Sequence, residues 1–381
     1  MRHNIFKTFY LTYFLLGVIS LQSCRKVVIP VLAGTPFKVN GNFLTDPCGQ
    51  QILLRGMNKM SVFDKQDIYG TQYFPEIAKT NANSVRIVWL ATYDSTHQLA
   101  QLDSLIKNCM MQKMIPMVEL HDATCKWFML DEVVNFWIKP EVVSLVQKYQ
   151  HALLVNIANE AGGQDINGVP EKITDQQFLQ GYKDAITKMR SAGIHTPLIV
   201  DASDCGKNLD ILISTGPTLM QHDPEHNVMF SLHTYWSKLA IQSAGQPTFI
   251  EDQLQKAVDA NIPLLLGELC AYGGWPNSPI DTLICSPAGA VDYQTFLAEA
   301  ASHNIGWMAW EWGPGNGFYD YDPDILCPQM DITTDGTYNS IVNVSANDVN
   351  AWGKEVVITS PHSLKNTSVK SNYLLNGFKC L

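Results

Sequence analysis

Two glutamates each follow a short apolar run, and they are the residues best placed for chemistry. Glu160 ends the run LLVNIANE, and Glu268 ends the run IPLLLGE. Apolar runs of this length are typical of buried strands, and the groups at the C-terminal ends of parallel barrel strands share one face. Two carboxylates that face each other across a cleft can cleave a glycosidic bond. One protonates the leaving oxygen, and the other attacks or activates water.

Apolar runs alternate with longer amphipathic stretches along the chain, as strands alternate with helices. The predicted strands are residues 52–56, 84–89, 114–120, 152–157, 197–201, 228–232, 262–267 and 306–310. The predicted helices are residues 74–80, 100–112, 131–149, 175–192, 208–214, 251–260 and 292–303. Strands that are apolar throughout indicate a parallel sheet covered on both faces. Eight such units favour an α/β fold, the closed (β/α)8 TIM barrel, and no dinucleotide glycine fingerprint follows any strand.

The predicted organisation is a single catalytic domain over residues 37–360. Residues 37–44 are expected to form a short N-terminal hairpin around Asn40-Gly41, a strong turn signal. Residues 24–36 are interpreted as a linker. Residues 361–381 lack periodicity and are interpreted as a tail that straps the surface.

The N-terminus has the pattern of an export signal. A basic start is followed by an apolar region over residues 9–21, which is too short to span a bilayer comfortably. The sequence LQSC that follows resembles a bacterial lipobox. We therefore expect residues 1–23 to be a lipoprotein-type signal peptide and Cys24 to carry the lipid, with a plain secretory signal or an uncleaved anchor as the alternatives. The mature protein is then exported, either lipid-anchored in the bacterial cell envelope or secreted.

Cysteine usage fits an exported protein. Of the nine cysteines, those other than Cys24 form an even set, which favours disulfides in an oxidising compartment. Cys270 is predicted to pair with Cys285 or Cys327, because all three lie in loops beyond late strands.

Composition argues against several partners. The 381 residues carry a formal net charge of −10, and no long Lys/Arg run occurs beyond the N-terminus, so no nucleic-acid partner is expected. No CxxC motif or Cys/His cluster is present, and the pair His121-Asp122 lacks an evident third ligand. We therefore expect no metal and no cofactor, and we expect a monomer.

Polar or aromatic residues mark nearly every predicted strand end. In chain order they are Arg86 within strand two, His121 after strand three, Asn159 and Glu160 after strand four, Asp201 ending strand five, His233 and Tyr235 after strand six, Glu268 after strand seven, and Trp310 ending strand eight with Trp312 beyond it. Polar groups at so many strand ends are costly unless they converge on a site. We expect them to line one cleft, with Asp201 in a supporting position.

The order of these residues resembles that of glycoside hydrolase family 5, the cellulase and mannanase family. The matching positions are Arg86, His121, Asn159-Glu160, His233-x-Tyr235, Gly267-Glu268 and Trp310. Further runs, among them NANSVRIVW, VELHDATC and AWEWGPGNG, are similar to the bacterial β-mannanase branch. Beside the two glutamates, Ala161 and Leu269 stand where the family commonly has Pro and Phe.

The resemblance implies a retaining mechanism with Glu268 as nucleophile and Glu160 as acid and then base. A retaining pair lies about 5–5.5 Å apart. Glu268 must stay ionised, and Arg86 and Tyr235 can supply the cation and the hydrogen bond that this requires. The residues expected to bind substrate and orient the glutamates are Arg86, His121, Asn159 (on the sugar 2-hydroxyl), His233, Tyr235, the stacking platform Trp310, and Trp312.

The predicted function is endo-acting hydrolysis of β-1,4-mannosidic bonds in mannan, glucomannan or galactomannan, with a polysaccharide as partner. Endo-β-1,4-glucanase activity within the same family is the first alternative. A surface glycan-binding protein on a catalytically dead barrel is an alternative of a different class. The choice between mannan and glucan rests on loop geometry around the 2-hydroxyl of the cleaved sugar.

Overall fold

A small antiparallel sheet opens the described part of the chain. The computed structural model describes residues 34–91, 98–273, 289–314, 330–346, 348 and 350–380. The first three strands are β1 (Lys38–Asn40), β2 (Phe43–Thr45) and β3 (Gln51–Ile52). The hairpin turn lies at Gly41 and Asn42, because Asn40 pairs with Phe43. Gly41 has φ +63°, a conformation that glycine adopts readily.

The next eight strands form a closed parallel barrel. They are β4 (Arg55–Lys59), β5 (Ser84–Trp89), β6 (Ile115–Leu120), β7 (Leu154–Asn156), β8 (Leu198–Asp201), β9 (Val228–His233), β10 (Leu264–Leu269) and β11 (Gly306–Ala309). Their hydrogen-bonded order, β10-β11-β4-β5-β6-β7-β8-β9, is the chain order closed on itself. The fold is therefore the predicted (β/α)8 TIM barrel, with the predicted hairpin before it.

The first barrel strand begins later than predicted, at Arg55 instead of residue 52. Ile52 pairs with Leu44 in the N-terminal sheet. Both residues are buried and pack against the inward-facing apolar residues at the bottom of the barrel. The apolar run at 52–54 therefore covers the barrel bottom before β4 starts. The other predicted strands lie close to their observed bounds.

Helices pack around the barrel. They are α1 (Tyr73–Ala78), α2 (Leu99–Met111), α3 (Leu130–Trp137), α4 (Pro140–Tyr149), α5 (Asp175–Ser191), α6 (Leu209–His222), α7 (Lys238–Ser243), α8 (Phe249–Asp259), α9 (Tyr293–Ser302), α10 (Tyr338–Asn343), α11 (Ala351–Lys354), α12 (Leu364–Thr367) and α13 (Asn372–Leu375). None of these described helices combines the length and the apolar character needed to span a membrane.

The helix predicted over 131–149 is two helices. Proline lacks the N–H that continues a helix and holds the preceding residue extended. Lys139 is accordingly extended, and Pro140 is the first residue of α4. The helix predicted to end at residue 214 continues to His222 with Pro217 inside it. Helix α7 has no counterpart in the prediction.

The C-terminal tail is part of the core, not a strap on the surface. Tyr373 and Phe378 are buried, and the Tyr373 ring lies edge-on to Phe37 with 5.8 Å between centroids. A disulfide joins Cys48 of the N-terminal region to Cys380 of the tail. The described residues, tail included, lie in one compact unit. The tail closes the barrel bottom through single anchor residues, and such anchors leave no periodic pattern in the sequence.

Candidate active site

A fully buried arginine lies inside the barrel. All five N–H groups of Arg86 have acceptors: Nε donates to Asn156 (2.9 Å), Nη1 to Asn58 (3.1 Å) and Glu268 (2.8 Å), and Nη2 to Asn159 (2.6 Å) and Asp201 (3.3 Å). Burial by itself lowers the pKa of Arg86, but the surrounding carboxylates raise it above its ordinary value. A buried charge is stable only when paired in this way. Arg86 therefore fixes side chains on four other strands and at one loop position.

Glu268 is held by a donor on each carboxylate oxygen. Oε1 accepts from Arg86, and Oε2 accepts from the Tyr235 hydroxyl at 2.5 Å. Burial, together with the negative charge of Glu268, raises the pKa of Tyr235 well above its ordinary value, so the phenol remains a donor. The two bonds fix the direction in which the Glu268 carboxylate points.

Glu160 lies in the loop after β7, in the left-handed backbone region with φ +49°. This conformation costs a non-glycine residue on the order of 1 kcal/mol and persists where the surroundings enforce it. The Glu160 N–H donates to Asp201 Oδ2 at 3.1 Å, and its carbonyl accepts from the Cys125 N–H at 3.1 Å. These bonds direct the side chain of Glu160 towards β9 and β10, where it meets His233.

The two glutamates meet at a cavity of about 520 Å³, which both line. One ligand atom from each of Glu160, His233 and Glu268 lies within 4.8 Å of the other two. Retaining glycosidases separate their carboxyl groups by about 5–5.5 Å, and inverting ones by about 6.5–9.5 Å. The bound of 4.8 Å between one oxygen of each glutamate lies below the inverting range and near the retaining one.

His233 contacts both carboxylates. Its Nδ1 lies 2.6 Å from Glu160 Oε1 and 3.4 Å from Glu268 Oε2, and its Nε2 lies 3.4 Å from Asp201 Oδ2. Burial lowers the pKa of His233, but the charges of Glu268 and Asp201 and the hydrogen bond to Glu160 outweigh it and raise the pKa to about 9. The bond between Nδ1 and Glu160 Oε1 holds the Glu160 carboxyl group in one orientation.

The trio Glu160, His233 and Glu268 is also the one group within the described ranges whose spacing could hold a metal ion. A metal-bound imidazole must be neutral. The raised pKa of His233 favours the protonated ring, whose proton a metal ion would have to displace. The residue set favours proton transfer over metal chemistry. The sequence also raised His121-Asp122 as a possible metal-binding pair. One carboxylate oxygen of Asp122, Oδ2, already accepts a hydrogen bond from the Ala91 N–H at 2.7 Å.

His121 and Trp310 form one wall of the cavity. Their rings stack with centroids 5.8 Å apart and an interplanar angle of 5°. His121 Nδ1 lies 2.8 Å from Glu119 Oε1. Burial lowers the pKa of His121, and Glu119 more than offsets this, so the pKa is raised. The wall combines a polar ring with an aromatic face, which suits the hydroxyls and the apolar C–H surface of a sugar.

Asn159 lines the same cavity. Its Oδ1 accepts from Arg86, and its Nδ2 donates to Thr124 Oγ1 at 2.9 Å. An amide nitrogen carries two protons. The second has no acceptor among the residues that the structure describes, and it is free for the predicted bond to a sugar hydroxyl.

Trp312 is not among the residues that line the cavity, which contradicts its predicted role in substrate binding. Its side chain is fully buried, and Nε1 donates to the Gly336 carbonyl at 3.1 Å. The prediction placed Trp312 just beyond strand eight, and the observed strand β11 already ends at Ala309. Beyond the end of a strand, the position in the sequence no longer fixes which way a side chain points.

Three supporting residues were missed in the sequence: Asn58, Glu119 and Asn156. Each is fully buried within a barrel strand. Each bonds a site residue, since Asn58 and Asn156 accept from Arg86, and Glu119 contacts His121. The available signal was a polar residue within a buried strand, which is costly unless it is paired.

The predicted disulfide of Cys270 is wrong. Cys270 is a buried free thiol, and its suggested partners Cys285 and Cys327 lie outside the described residues. A disulfide instead joins Cys125 and Cys205, and both half-cystines line the cavity. Cys24, the predicted lipid site, also lies outside the described residues.

The model of the cellulase family, glycosyl hydrolase family 5, matches residues 45–316 of the chain. The protein belongs to glycosyl hydrolase family 5. It is therefore a glycoside hydrolase, as the resemblance implied, and a catalytically dead barrel is not supported.

Two relatives of this family 5 protein are mannan endo-1,4-β-mannosidases. The one from Salipaludibacillus agaradhaerens is 28% identical over 293 residues, covering 75% of this chain and 84% of that protein. The one from Cellvibrio japonicus is 26% identical over 369 residues, covering 93% of this chain and 73% of that protein.

Solved structures resemble this family 5 barrel over most of the chain. The β-mannanase from Thermomonospora fusca has a TM-score of 0.70 at 24% identity and covers 89% of this chain and 99% of its own. The catalytic domain of an endoglucanase from Thermobifida fusca has a TM-score of 0.56 at 16% identity, with coverage of 84% and 97%. At these sequence identities the structural similarity is evidence for the fold alone, and it agrees with the closed barrel.

Proposed function

We propose that this family 5 enzyme is a retaining endo-β-1,4-mannanase that acts on mannan, glucomannan or galactomannan. The short distance between Glu160 and Glu268 across the cavity carries the retaining mechanism. Two mannan endo-1,4-β-mannosidases that align with most of the chain support the substrate. Because the family also holds cellulases, β-1,4-glucan is the competing substrate.

In the first step a Glu268 oxygen attacks the anomeric carbon, and the bond from that carbon to the glycosidic oxygen breaks. Glu160 gives its proton to the departing oxygen. Arg86 and Tyr235 hold the attacking carboxylate in one direction, so little reorganisation is needed on the way to the transition state. The product of this step is a glycosyl ester of Glu268 and a shortened glycan.

In the second step Glu160 is a carboxylate and takes a proton from water. The water oxygen attacks the same anomeric carbon, and the ester bond to Glu268 breaks. Two displacements restore the original anomeric configuration, and Glu160 ends protonated for the next cycle. His233 lies within reach of both glutamates and orients Glu160 in both steps.

The substrate is tested by product analysis on a panel of β-mannans, cellulose and xyloglucan. We expect manno-oligosaccharides of several lengths from the mannans at early times, because an endo-acting enzyme cuts inside chains. Release from cellulose should be much slower. Faster release of cello-oligosaccharides would make the enzyme an endoglucanase, and binding to a glycan without release would make it a glycan-binding protein. A chelator should leave the rates unchanged, because the proposed steps use protein groups alone.

We further propose that the protein is exported and anchored by a lipid on Cys24. The basic start, the apolar region over residues 9–21 and the sequence LQSC support this. Cys24→Ser should move the protein from the membrane fraction to the soluble fraction of the producing bacterium, because lipid attachment needs the thiol. Ser23→Ala is the matched control and should stay with the membrane. An unchanged distribution of Cys24→Ser would contradict the anchor.

A further inference from the structure

The disulfide between Cys125 and Cys205 spans the loop that carries Glu160, and we propose that it is a clamp that positions this residue. Cys125 lies in the loop after β6, and Cys205 lies in the loop after β8. The strand between them in the barrel is β7, and the loop after it holds residues 160–164, the Glu160 loop. The bridge therefore joins the two neighbours of the Glu160 loop.

Both half-cystines hold the Glu160 loop through their backbones. The Cys125 N–H donates to the Glu160 carbonyl at 3.1 Å, and the Cys125 carbonyl accepts from the Gln164 N–H at 2.8 Å. On the other side, the Cys205 N–H donates to the Gly162 carbonyl at 2.8 Å. A Cβ on residue 163 would meet the Cys205 sulfur at 2.9 Å. The loop lies against the bridge with no space for a side chain.

The backbone at this place needs such a restraint. Glu160, Cys125 and Cys205 are all in the left-handed region, with φ of +49°, +61° and +51°. Non-glycine residues hold this conformation only where the surrounding structure over-determines it. The bridge joins two of the three covalently, and the third is hydrogen-bonded to Cys125. Without the bridge, these loops can relax towards ordinary backbone angles and carry Glu160 with them.

The clamp also reaches His233. The Gly206 carbonyl, next to Cys205, accepts from the His233 N–H at 2.8 Å, and a Cβ on residue 206 would lie 2.7 Å from the His233 ring. His233 in turn bonds Glu160. The bridge thus fixes Glu160 from its own backbone and from the ring that orients its carboxylate.

Opening the bridge should impair the steps that need Glu160. A dithiol reductant converts the disulfide to two thiols and is itself oxidised to a disulfide. Both half-cystines are partly exposed and line the cavity. A displacement of about 1 Å in a catalytic group can cost about 10²-fold in rate. The inference rests on the proposed acid and base role of Glu160. The loss should therefore be large for mannan and small for a substrate whose leaving group needs no proton.

The test compares Cys125→Ser/Cys205→Ser with the matched control Cys48→Ser/Cys380→Ser, which removes the disulfide at the barrel bottom. Each is assayed on mannan and on a dinitrophenyl β-mannoside with azide, which accepts the glycosyl group without a base. Both variants should have a lower Tm, because each loses a cross-link. Only Cys125→Ser/Cys205→Ser should lose about 10²-fold in kcat on mannan while nearly keeping its rate on the activated substrate.

An equal loss on both substrates, or a native rate on mannan, would overturn the clamp. Glu160→Ala, assayed in parallel, separates the role of Glu160 from the role of the clamp. If Glu160→Ala loses no more rate on mannan than on the activated substrate, the proposed role of Glu160 is wrong. If Glu160→Ala shows this selective loss and Cys125→Ser/Cys205→Ser does not, the clamp is wrong. Should Cys125→Ser/Cys205→Ser fail to fold, the folded Cys48→Ser/Cys380→Ser protein is treated with dithiothreitol. Alkylation of the free thiols followed by peptide mass spectrometry then shows whether the Cys125–Cys205 bridge has opened. The rates of the reduced protein on mannan and on the activated substrate are compared as before, and they test the clamp.

Discussion

Glu268→Ala is expected to stop turnover on every substrate, with a fall in kcat of about 10⁴-fold or more, because no nucleophile remains to form the glycosyl ester. The change removes only a carboxylate that Arg86 and Tyr235 hold from two sides. The space it leaves lies at the anomeric carbon in the proposed mechanism. A small anion such as azide can enter there and attack the sugar directly.

Glu160→Ala provides the comparison. On mannan it should lose about 10²–10⁴-fold, the contribution typical of general acid catalysis. On a dinitrophenyl β-mannoside the first step should survive, since the leaving group needs no proton. Azide should then accelerate the second step by replacing the water that Glu160 activates.

The anomeric configuration of the mannosyl azide, read by NMR, distinguishes the two roles. With Glu268→Ala one displacement occurs, so the azide product should be inverted. With Glu160→Ala two displacements occur, so the product should be retained. The opposite pattern would exchange the roles of Glu160 and Glu268, and an inverted product from the native enzyme would rule out a retaining mechanism.

Arg86→Lys should lower kcat by about 10²-fold with little change in KM. Arginine uses five N–H groups here, two of them on acidic side chains, and lysine has only three donors on a single nitrogen. The charge survives, but the direction of the Glu268 carboxylate is no longer fixed. Since Glu268 also loses its best hydrogen-bond donor, the acidic limb of the pH profile of kcat/KM should move to higher pH.

Arg190→Lys is the matched control for this change. Arg190 is also buried and forms a two-pronged ion pair, with Nε 2.8 Å from Asp223 Oδ1 and Nη2 2.8 Å from Oδ2. It also donates to the carbonyls of Ile194 and Thr196, which precede β8 at the bottom of the barrel. Arg190→Lys should lower Tm and leave kcat and the pH profile unchanged. If Arg86→Lys behaves in the same way, Arg86 serves packing and does not direct the nucleophile.

The sequence by itself determined the barrel fold and which strand ends carry the candidate catalytic residues. Strand positions follow from apolar runs and breaks, which are local, and parallel strands in a barrel bring their C-terminal ends to one face. Arg86 and Glu268 could therefore be assigned to one site before any contact was known. The same reasoning misplaced β4, because an apolar run does not reveal whether it lines a barrel or covers its bottom.

Only the tertiary structure decided which groups touch. The acceptors of Arg86 come from four other strands or their loops, and no local pattern relates positions so far apart in sequence. Trp312 turned inwards once its strand had ended, and the C-terminal tail entered the core through isolated anchors. The partner of Cys125 was equally hidden, because a disulfide depends on the distance between two loops and not on their sequences. Local patterns set where a strand ends, whereas long-range packing sets what its last side chains meet.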